Sequence, residues 1–207
     1  MEITKACVYG ASGHGKVVSD VLKRNGYTVV AFVDDDENKK EFCGLPVIRF
    51  KQLVEKKLPC ALGIGNNKVR NKIYKNLKEN RIDTISAVDP SAVIGSEVKI
   101  GEGTIVMPNV VINHSAIIGI GCIINSAAII EHDCVIGDFV HISPNAALAG
   151  GVKVGSFSQV GIGSCVRQNI EIGKNTIVGA GSVVVKNIED NLIVVGNPAK
   201  ELRINNE

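Results

Sequence analysis

The stretch IGIGCIINSAAIIEHDCVIGDFVHISPNAAL, residues 118–148, repeats every six positions. Ile118, Ile124, Ile130, Ile136, Ile142 and Leu148 mark the period, and the register runs outward in both directions. It begins at Ile94, Ile100, Val106 and Ile112 and continues through Val154, Val160, Val166, Ile172, Val178 and Val184. Four residues after these aliphatics a small or β-branched residue tends to recur: Thr104, Ala116, Cys122, Ala128, Cys134, Ala146, Ser158, Ser164, Thr176, Ser182. Glycine often follows the aliphatic, as at Gly95, Gly101, Gly119, Gly137, Gly155, Gly161, Gly173 and Gly179. Helical spacing does not generate a period of six, and a plain strand adds no turn signal at that interval. The pattern is the hexapeptide repeat of a parallel β-helix. Each repeat is a short strand and a corner, three repeats close a coil, and coils stack at about 4.8 Å. Residues 94–184 therefore predict roughly five coils of about 18 residues each.

Outside the repeat, the first 80 residues read differently. Lys5–Gly10 is a short apolar strand running into Ala11-Ser12-Gly13-His14-Gly15-Lys16, and Val17–Asn25 shows apolar residues at helical spacing. Asn25-Gly26 closes that helix. A second strand, Thr28–Val33, leads into Asp34-Asp35-Asp36, and Gly44–Ile48 is a connection or short strand before a helix over Phe50–Lys57. Cys60–Ile64 is a third strand ending at Gly65-Asn66-Asn67. Lys68–Asn80 reads as an amphipathic helix with Val69, Ile73 and Leu77 on its apolar side. Strands alternating with helices imply a small parallel α/β domain, expected over residues 1–82, followed by the β-helix and its tail over 83–207. The register fails at Asp190, so Val194–Lys200 is expected to form a separate tail.

Composition narrows the function classes. The chain is 45% hydrophobic and only 4% aromatic with no Trp, which suits a narrow prism filled with Ile and Val. A net charge of +2 leaves no electrostatic footprint for nucleic acid. Met1–Val8 lacks the apolar stretch of a secretory leader, no run approaches membrane-span length, and a cytoplasmic location is expected. The six cysteines form no CxxC pair or compact framework, and Cys122 and Cys134 fall in the small-residue slot, so reduced structural thiols are expected.

Three places carry chemistry. Gly10-Ala11-Ser12-Gly13-His14-Gly15 lies between a strand and a helix, where glycine permits close backbone approach and the helix N-terminus offers free N–H groups to a phosphate. Asp34 and Asp35 follow at the end of the next strand, placed for a ribose or base. The domain is too short for a two-half dinucleotide fold, so a mononucleotide or nucleotide-sugar fits better than NAD. The second place is Glu131-His132-Asp133. A histidine accepts a proton near neutral pH, and a carboxylate beside it orients the ring and raises its basicity. Strand alternation points Asp133 away from His132, so their pairing requires a corner, with Glu131 as the fallback partner. His114, one coil earlier, should stack beside His132. The third place is the C-terminal half of the prism, where Gly150-Gly151, Gly161-Ile162-Gly163 and Gly179-Ala180-Gly181 remove side chains at corners and leave room for a long thin ligand along the coils.

Taken together, YGASGHGK (9–16), VDD (33–35), IGNN (64–67), IEHDCVIGDFVHIS (130–143) and VGNPAK (195–200) resemble the hexapeptide-repeat sugar acetyltransferases of the sialic-acid O-acetyltransferase and bacillosamine-pathway type. The resemblance implies a Rossmann-like N-terminal domain that binds a UDP-amino-sugar. It also implies a left-handed β-helix that binds acetyl-CoA, and a homotrimer with sites between adjacent prisms. It places His132 as the base and Asp133 as the acid that raises its basicity. Ser12, Gly13, His14, Asp34, Asp35 and Gly65 become sugar-nucleotide contacts, and His141, Ile162, Gly179 and Ala180 the acetyl-CoA site. Ala180 stands where a Gly can occur, which questions any Gly-specific conformation there. The activity implied is N-acetylation of the C4 amine of a UDP-linked 4-amino-4,6-dideoxy-N-acetyl-sugar. Backbone N–H groups near Gly150-Gly151 are expected to serve the oxyanion, with no acyl-enzyme. The alternatives are O-acetylation of sialic acid or another sugar, and a non-catalytic nucleotide-sugar-binding scaffold. Some trimeric left-handed β-helices are zinc enzymes, but zinc needs three converging ligands, and His132 and His141 stand nine residues apart. No metal is expected.

Overall fold

The computed structural model describes residues 4–206. Residues 1–3, the start of the segment read for a leader, lie outside that description. The chain opens with β1 (Lys5–Tyr9), α1 (Gly13–Arg24), β2 (Thr28–Val33), the short β3 (Glu41–Phe42), β4 (Leu45–Ile48), α2 (Phe50–Lys56), β5 (Cys60–Leu62) and α3 (Asn67–Glu79). The sheet order is β3-β4-β2-β1-β5, parallel except for the β3–β4 hairpin. Strand alternation sends Ala6 and Val8 into one core and Cys7 and Tyr9 into another. The first core is continuous with the interior of the repeat region, so the two parts pack as one body.

One boundary and one helix face differ from the sequence reading. α1 starts at Gly13, not Val17, so the second half of the Gly-rich turn is the helix's first turn. Position 15 requires glycine, because a Cβ there would sit 1.9 Å from the Gly10 carbonyl oxygen. In α3, Val69 is 46% exposed and Arg70 is fully buried in its place. The stripe Arg70, Ile73, Leu77 faces inward instead.

The repeat region forms a triangular prism of three parallel sheets. Successive coils pair 18 residues apart, as Ile112 with Ile130 and Ile130 with Leu148. Each coil runs from an apolar face (Ile129–Ile130) to a mixed face (Val135–Ile136) to a covered face (His141–Ile142) and back. From Val106 to Val184 the register residues point inward and are buried, and the small-residue slot is fully buried throughout. Hydroxyls in that slot stitch coils together. Ser158 Oγ donates to the Gly173 carbonyl (2.6 Å) and accepts from the Thr176 N–H (2.9 Å). Such pairing is what permits a polar group in so narrow a core.

The prism is longer than the register indicated. Residues 84–85 still pair with β5, after which Ala87–Val88 opens the covered face. At the far end Leu192–Val195 stacks on Ile177–Val178, so it is a further strand of the prism and not a separate tail. The last coil is two residues short: Ile188 bridges Ile172 and Val194 pairs with Val178, 16 residues apart where earlier coils pair at 18, which hid this strand from the period. Lys200–Ile204 then folds back antiparallel. The N-terminal domain lies over the covered face, whose outward residues Ile105 and Ile123 are buried. Arg24 reaches Asp89 at 2.8 Å across this contact.

Candidate active site

His132 and Asp133 occupy the corner between the apolar and mixed faces. Asp133 adopts a left-handed backbone (φ 60°), which an acid tolerates better than most residues. That corner breaks strand alternation and turns both side chains to one side. Nδ1 of His132 lies 2.8 Å from Oδ2 of Asp133. Glu131 is engaged elsewhere, accepting from Asn113 Nδ2 at 2.9 Å. With Nδ1–H donated to Asp133, Nε2 is left as an acceptor facing solvent. The bond to Asp133 raises the His132 pKa above its usual value, helped by the charges of Asp133 and Glu131.

The neighbouring coils shape this corner. His114 stacks one coil before, its carbonyl accepting the Asp133 N–H (3.1 Å) while its ring meets Ser115 Oγ at 2.7 Å. One coil after stands Gly150, where a Cβ would lie 2.6 Å from both Cε1 and Nε2 of His132. Glycine there makes room for the imidazole. The Gly151 N–H already donates to the His132 carbonyl (2.9 Å), so of the two expected oxyanion donors it is occupied. The Gly150 N–H has no acceptor among the described residues.

At the Gly-rich turn, Ser12 is the extended N-cap of α1 and Gly13 its first residue. Asp34 braces the turn: Oδ2 accepts from the Ala11 N–H (3.0 Å) and Lys39 Nζ (2.9 Å), and Oδ1 from the Asp36 N–H (3.0 Å). Burial pushes its carboxyl up, but Lys39 and the two N–H groups outweigh that and hold it below the usual range. Asp35 is exposed and accepts from Tyr9 Oη at 3.1 Å. His14 reaches toward the prism, its ring 6.5 Å from that of His141. Burial and then the nearby Arg70 charge lower the His14 pKa to about 4, and the same causes, with His14, lower His141 to about 3. Both are neutral imidazoles. Nε2 of His141 meets Asn125 Nδ2 at 3.0 Å, whereas the buried Nε2 of His14 has no partner among the described residues. The carbonyl of Gly65 accepts from Arg70 Nη1 at 2.9 Å.

Ile162, Gly179 and Ala180 lie toward the corner between the covered and apolar faces. Ile162 is exposed, and the positive φ values fall on Gly163 and Gly181. Ala180 therefore needs no glycine conformation. Gly179 is packed under Val195, where a Cβ would approach to 2.6 Å. The tail is clipped beside this corner through Val183 and Gly196, whose N–H and carbonyl meet at 3.0 Å.

The prism thus gathers His14, Gly65 and His141 on its covered face, with Ile162 and Ala180 at one edge of that face. The His132 corner joins the other two faces and lies opposite the N-terminal domain, so one chain does not bring its own His132 to its own Gly-rich turn. Sequence reasoning missed Arg70, whose only signal was a cation in helical phase with Ile73 and Leu77. Among the described residues no group of three or more His, Cys, Asp or Glu is placed to hold a metal ion. None of their helices is long and apolar enough to cross a membrane.

Residues 5–77 match the PglD N-terminal domain family. The chain is 38% identical over 108 residues to UDP-N-acetylbacillosamine N-acetyltransferase of Bacillus subtilis (strain 168), a match covering 48% of this chain and 50% of that protein. It thus spans about half the length of that curated relative. Solved structures match almost end to end. The acetyltransferase domain of PglB from Neisseria gonorrhoeae FA1090 superposes with a TM-score of 0.90 at 36% identity, covering 96% of this chain and 99% of that one. A perosamine N-acetyltransferase from Caulobacter crescentus, solved with CoA and GDP-perosamine, gives 0.93 at 37% identity, covering 97% and 98%. Sharing with them a Rossmann-like domain set on a left-handed parallel β-helix, the chain belongs to this family of hexapeptide-repeat sugar N-acetyltransferases.

Proposed function

We propose that the chain moves acetyl from acetyl-CoA to the C4 amine of a UDP-linked 4-amino-4,6-dideoxy-N-acetyl-sugar, as a cytoplasmic homotrimer. The observation that carries this reading is the His132–Asp133 pair, with Nε2 free above Gly150, in a chain alike over its whole length to sugar N-acetyltransferases. Residues 1–82 take the acceptor through Ser12, Gly13, His14, Asp35 and Gly65, with Asp34 holding the turn in shape. Residues 83–207 take acetyl-CoA along His141, Ile162, Gly179 and Ala180.

The places of these groups support the trimer. The apolar face separates the donor corner from the His132 corner and presents Val93 (62% exposed) and Ile129 (38% exposed) outward. Burying that face between copies in a closed ring brings His132 of one copy to the acceptor and donor residues of the next.

In the reaction the C4 nitrogen attacks the thioester carbonyl and a C–N bond forms. Nε2 of His132 removes the amine proton, and Asp133 stabilises the imidazolium. The carbonyl oxygen becomes an oxyanion within reach of the Gly150 N–H. Collapse breaks the C–S bond, and the departing CoA thiolate takes the proton back from His132. Holding both substrates together supplies much of the acceleration.

The test is thiol release from acetyl-CoA with a panel of UDP- and GDP-linked amino-sugars, CMP-linked and free sialic acid. Turnover on nucleotide-linked 4-amino-sugars supports the proposal, and release only with sialic acids overturns it.

A further inference from the structure

The most unusual buried group in the molecule is Arg70. It is fully buried, and among the described residues no carboxylate lies against it. Its guanidinium is nonetheless fully matched. Nε donates to the Gly121 carbonyl (2.7 Å), Nη1 to those of Ile64 (3.0 Å) and Gly65 (2.9 Å), and Nη2 to Asn67 Oδ1 (2.7 Å) and the Phe139 carbonyl (3.1 Å). Every N–H of the fork has an acceptor. Leaving a charge among neutral carbonyls is costly, so its retention calls for a role that packing alone does not supply.

The acceptors come from two parts of the chain with different tasks. Ile64 and Gly65 form the loop after β5, on the acceptor side. Gly121 and Phe139 lie on the prism corner between the mixed and covered faces, and Phe139 is two residues from His141. Arg70 is the central contact of a ladder. Asn67 Nδ2 donates to the carbonyls of Phe157 (3.0 Å) and Ser158 (3.1 Å), one coil further on. Tyr74 Oη donates to Glu102 (3.0 Å), one coil before Gly121. Arg70 itself spans two coils, so the two turns of α3 from Asn67 to Tyr74, about 10 Å of helix, touch four successive coils stacked about 4.8 Å apart. The Tyr74 and Phe139 rings, 5.6 Å apart, and the stack of Phe139 on Phe157 fill the sides of this ladder.

We propose that Arg70 is a positioning residue for acetyl transfer, fixing the acceptor loop at Ile64–Gly65 to the prism backbone beside His141. It touches neither substrate. It sets the height of the nucleotide-sugar relative to the acetyl group, and rests on the acetyl-transfer reading above. A lysine, with one ammonium on a flexible stem, does not reproduce the fork.

The test compares Arg70→Lys and Arg70→Met with wild type at a temperature well below each melting point. Positioning predicts a kcat about ten- to a hundred-fold lower in both variants, with KM for acetyl-CoA and Kd for UDP within about three-fold of wild type. A purely structural role predicts a lower melting temperature with kcat within about three-fold, and that result overturns the proposal. Loss of UDP binding in proportion to kcat also overturns it. If the Arg70 variants fail to fold, Asn67→Ala carries the same comparison, since it removes one acceptor of the fork and the tie to Phe157. Hydrogen exchange supplies a readout that needs no activity. Faster exchange of α3, with the coils beyond residue 160 unchanged, is expected in Arg70→Lys, and unchanged α3 exchange overturns the proposal. A wild-type protein that acetylates no sugar would refute the function, leaving this exchange result to judge the contact.

Discussion

Gly150→Ala tests the catalytic corner with one added carbon. The methyl would stand 2.6 Å from both Cε1 and Nε2 of His132, against an ordinary contact near 3.5 Å. The ring must therefore retreat by about 1 Å. His132 is exposed enough to do so without unfolding the corner, its side chain being 62% accessible. Gly150 has no positive φ, so the substitution strains no backbone. A displacement of about 1 Å in a catalytic group costs on the order of 100-fold in rate, equivalent to about 2.7 kcal/mol of barrier. Continuous thiol detection with saturating acetyl-CoA and the preferred nucleotide-sugar gives kcat, and thermal melting gives stability. The expected result is kcat lowered by about two orders of magnitude, with KM for acetyl-CoA and the melting temperature close to wild type. A kcat within about three-fold of wild type would refute the role given to the His132 ring over Gly150.

Three further perturbations probe other links. Asp133→Asn removes the group that raises the His132 pKa. Because the base acts as neutral imidazole, activity falls as pH drops through that pKa, so the acid limb of kcat/KM should move to lower pH while the plateau rate falls; an unmoved limb contradicts the pairing. Ile124→Ala empties a fully buried site in the prism. It should cost about 2–5 kcal/mol and show as a clearly lower melting temperature, and an unchanged melt would contradict the packed interior. Mixing equal amounts of unfolded His132→Ala and His14→Ala chains and refolding them tests whether sites form between copies. Each variant alone is expected to be weak. Mixed rings should regain about a quarter of wild-type activity, the share of contacts joining an intact base to an intact acceptor side, whereas no regain contradicts a shared site.

The prism was legible because a period of six has one structural solution, and the inward row from Val106 to Val184 lies where that period puts it. The corner carrying His132 and Asp133 was legible as a requirement of their pairing, and the backbone of Asp133 meets it. What escaped the sequence is what a linear pattern does not encode. Arg70 took the inward position assigned to Val69 because a ring of carbonyls from two distant segments outweighs one valine. Asp34 reads only as placed for a ribose or base, and its bracing of the Gly-rich turn, an interaction spanning 23 residues, carries no signal in the sequence. Leu192–Val195 looked detached because a coil two residues short broke the register, although backbone pairing continues through Ile188 and beyond it. The placement of His132 opposite the Gly-rich turn emerged only once the coil was closed into a triangle.

In the proposed reaction His132 drives acetylation of a sugar nitrogen, and the product reports on that step. Wild-type protein and His132→Ala are each incubated with acetyl-CoA and a UDP-linked 4-amino-4,6-dideoxy-N-acetyl-sugar, and the product is identified by mass spectrometry and NMR. One added acetyl group is expected on the C4 nitrogen with wild type, and turnover lower by about 100-fold or more with His132→Ala at nearly unchanged CoA affinity. An acetyl group on a hydroxyl, or a variant that turns over like wild type, would contradict it.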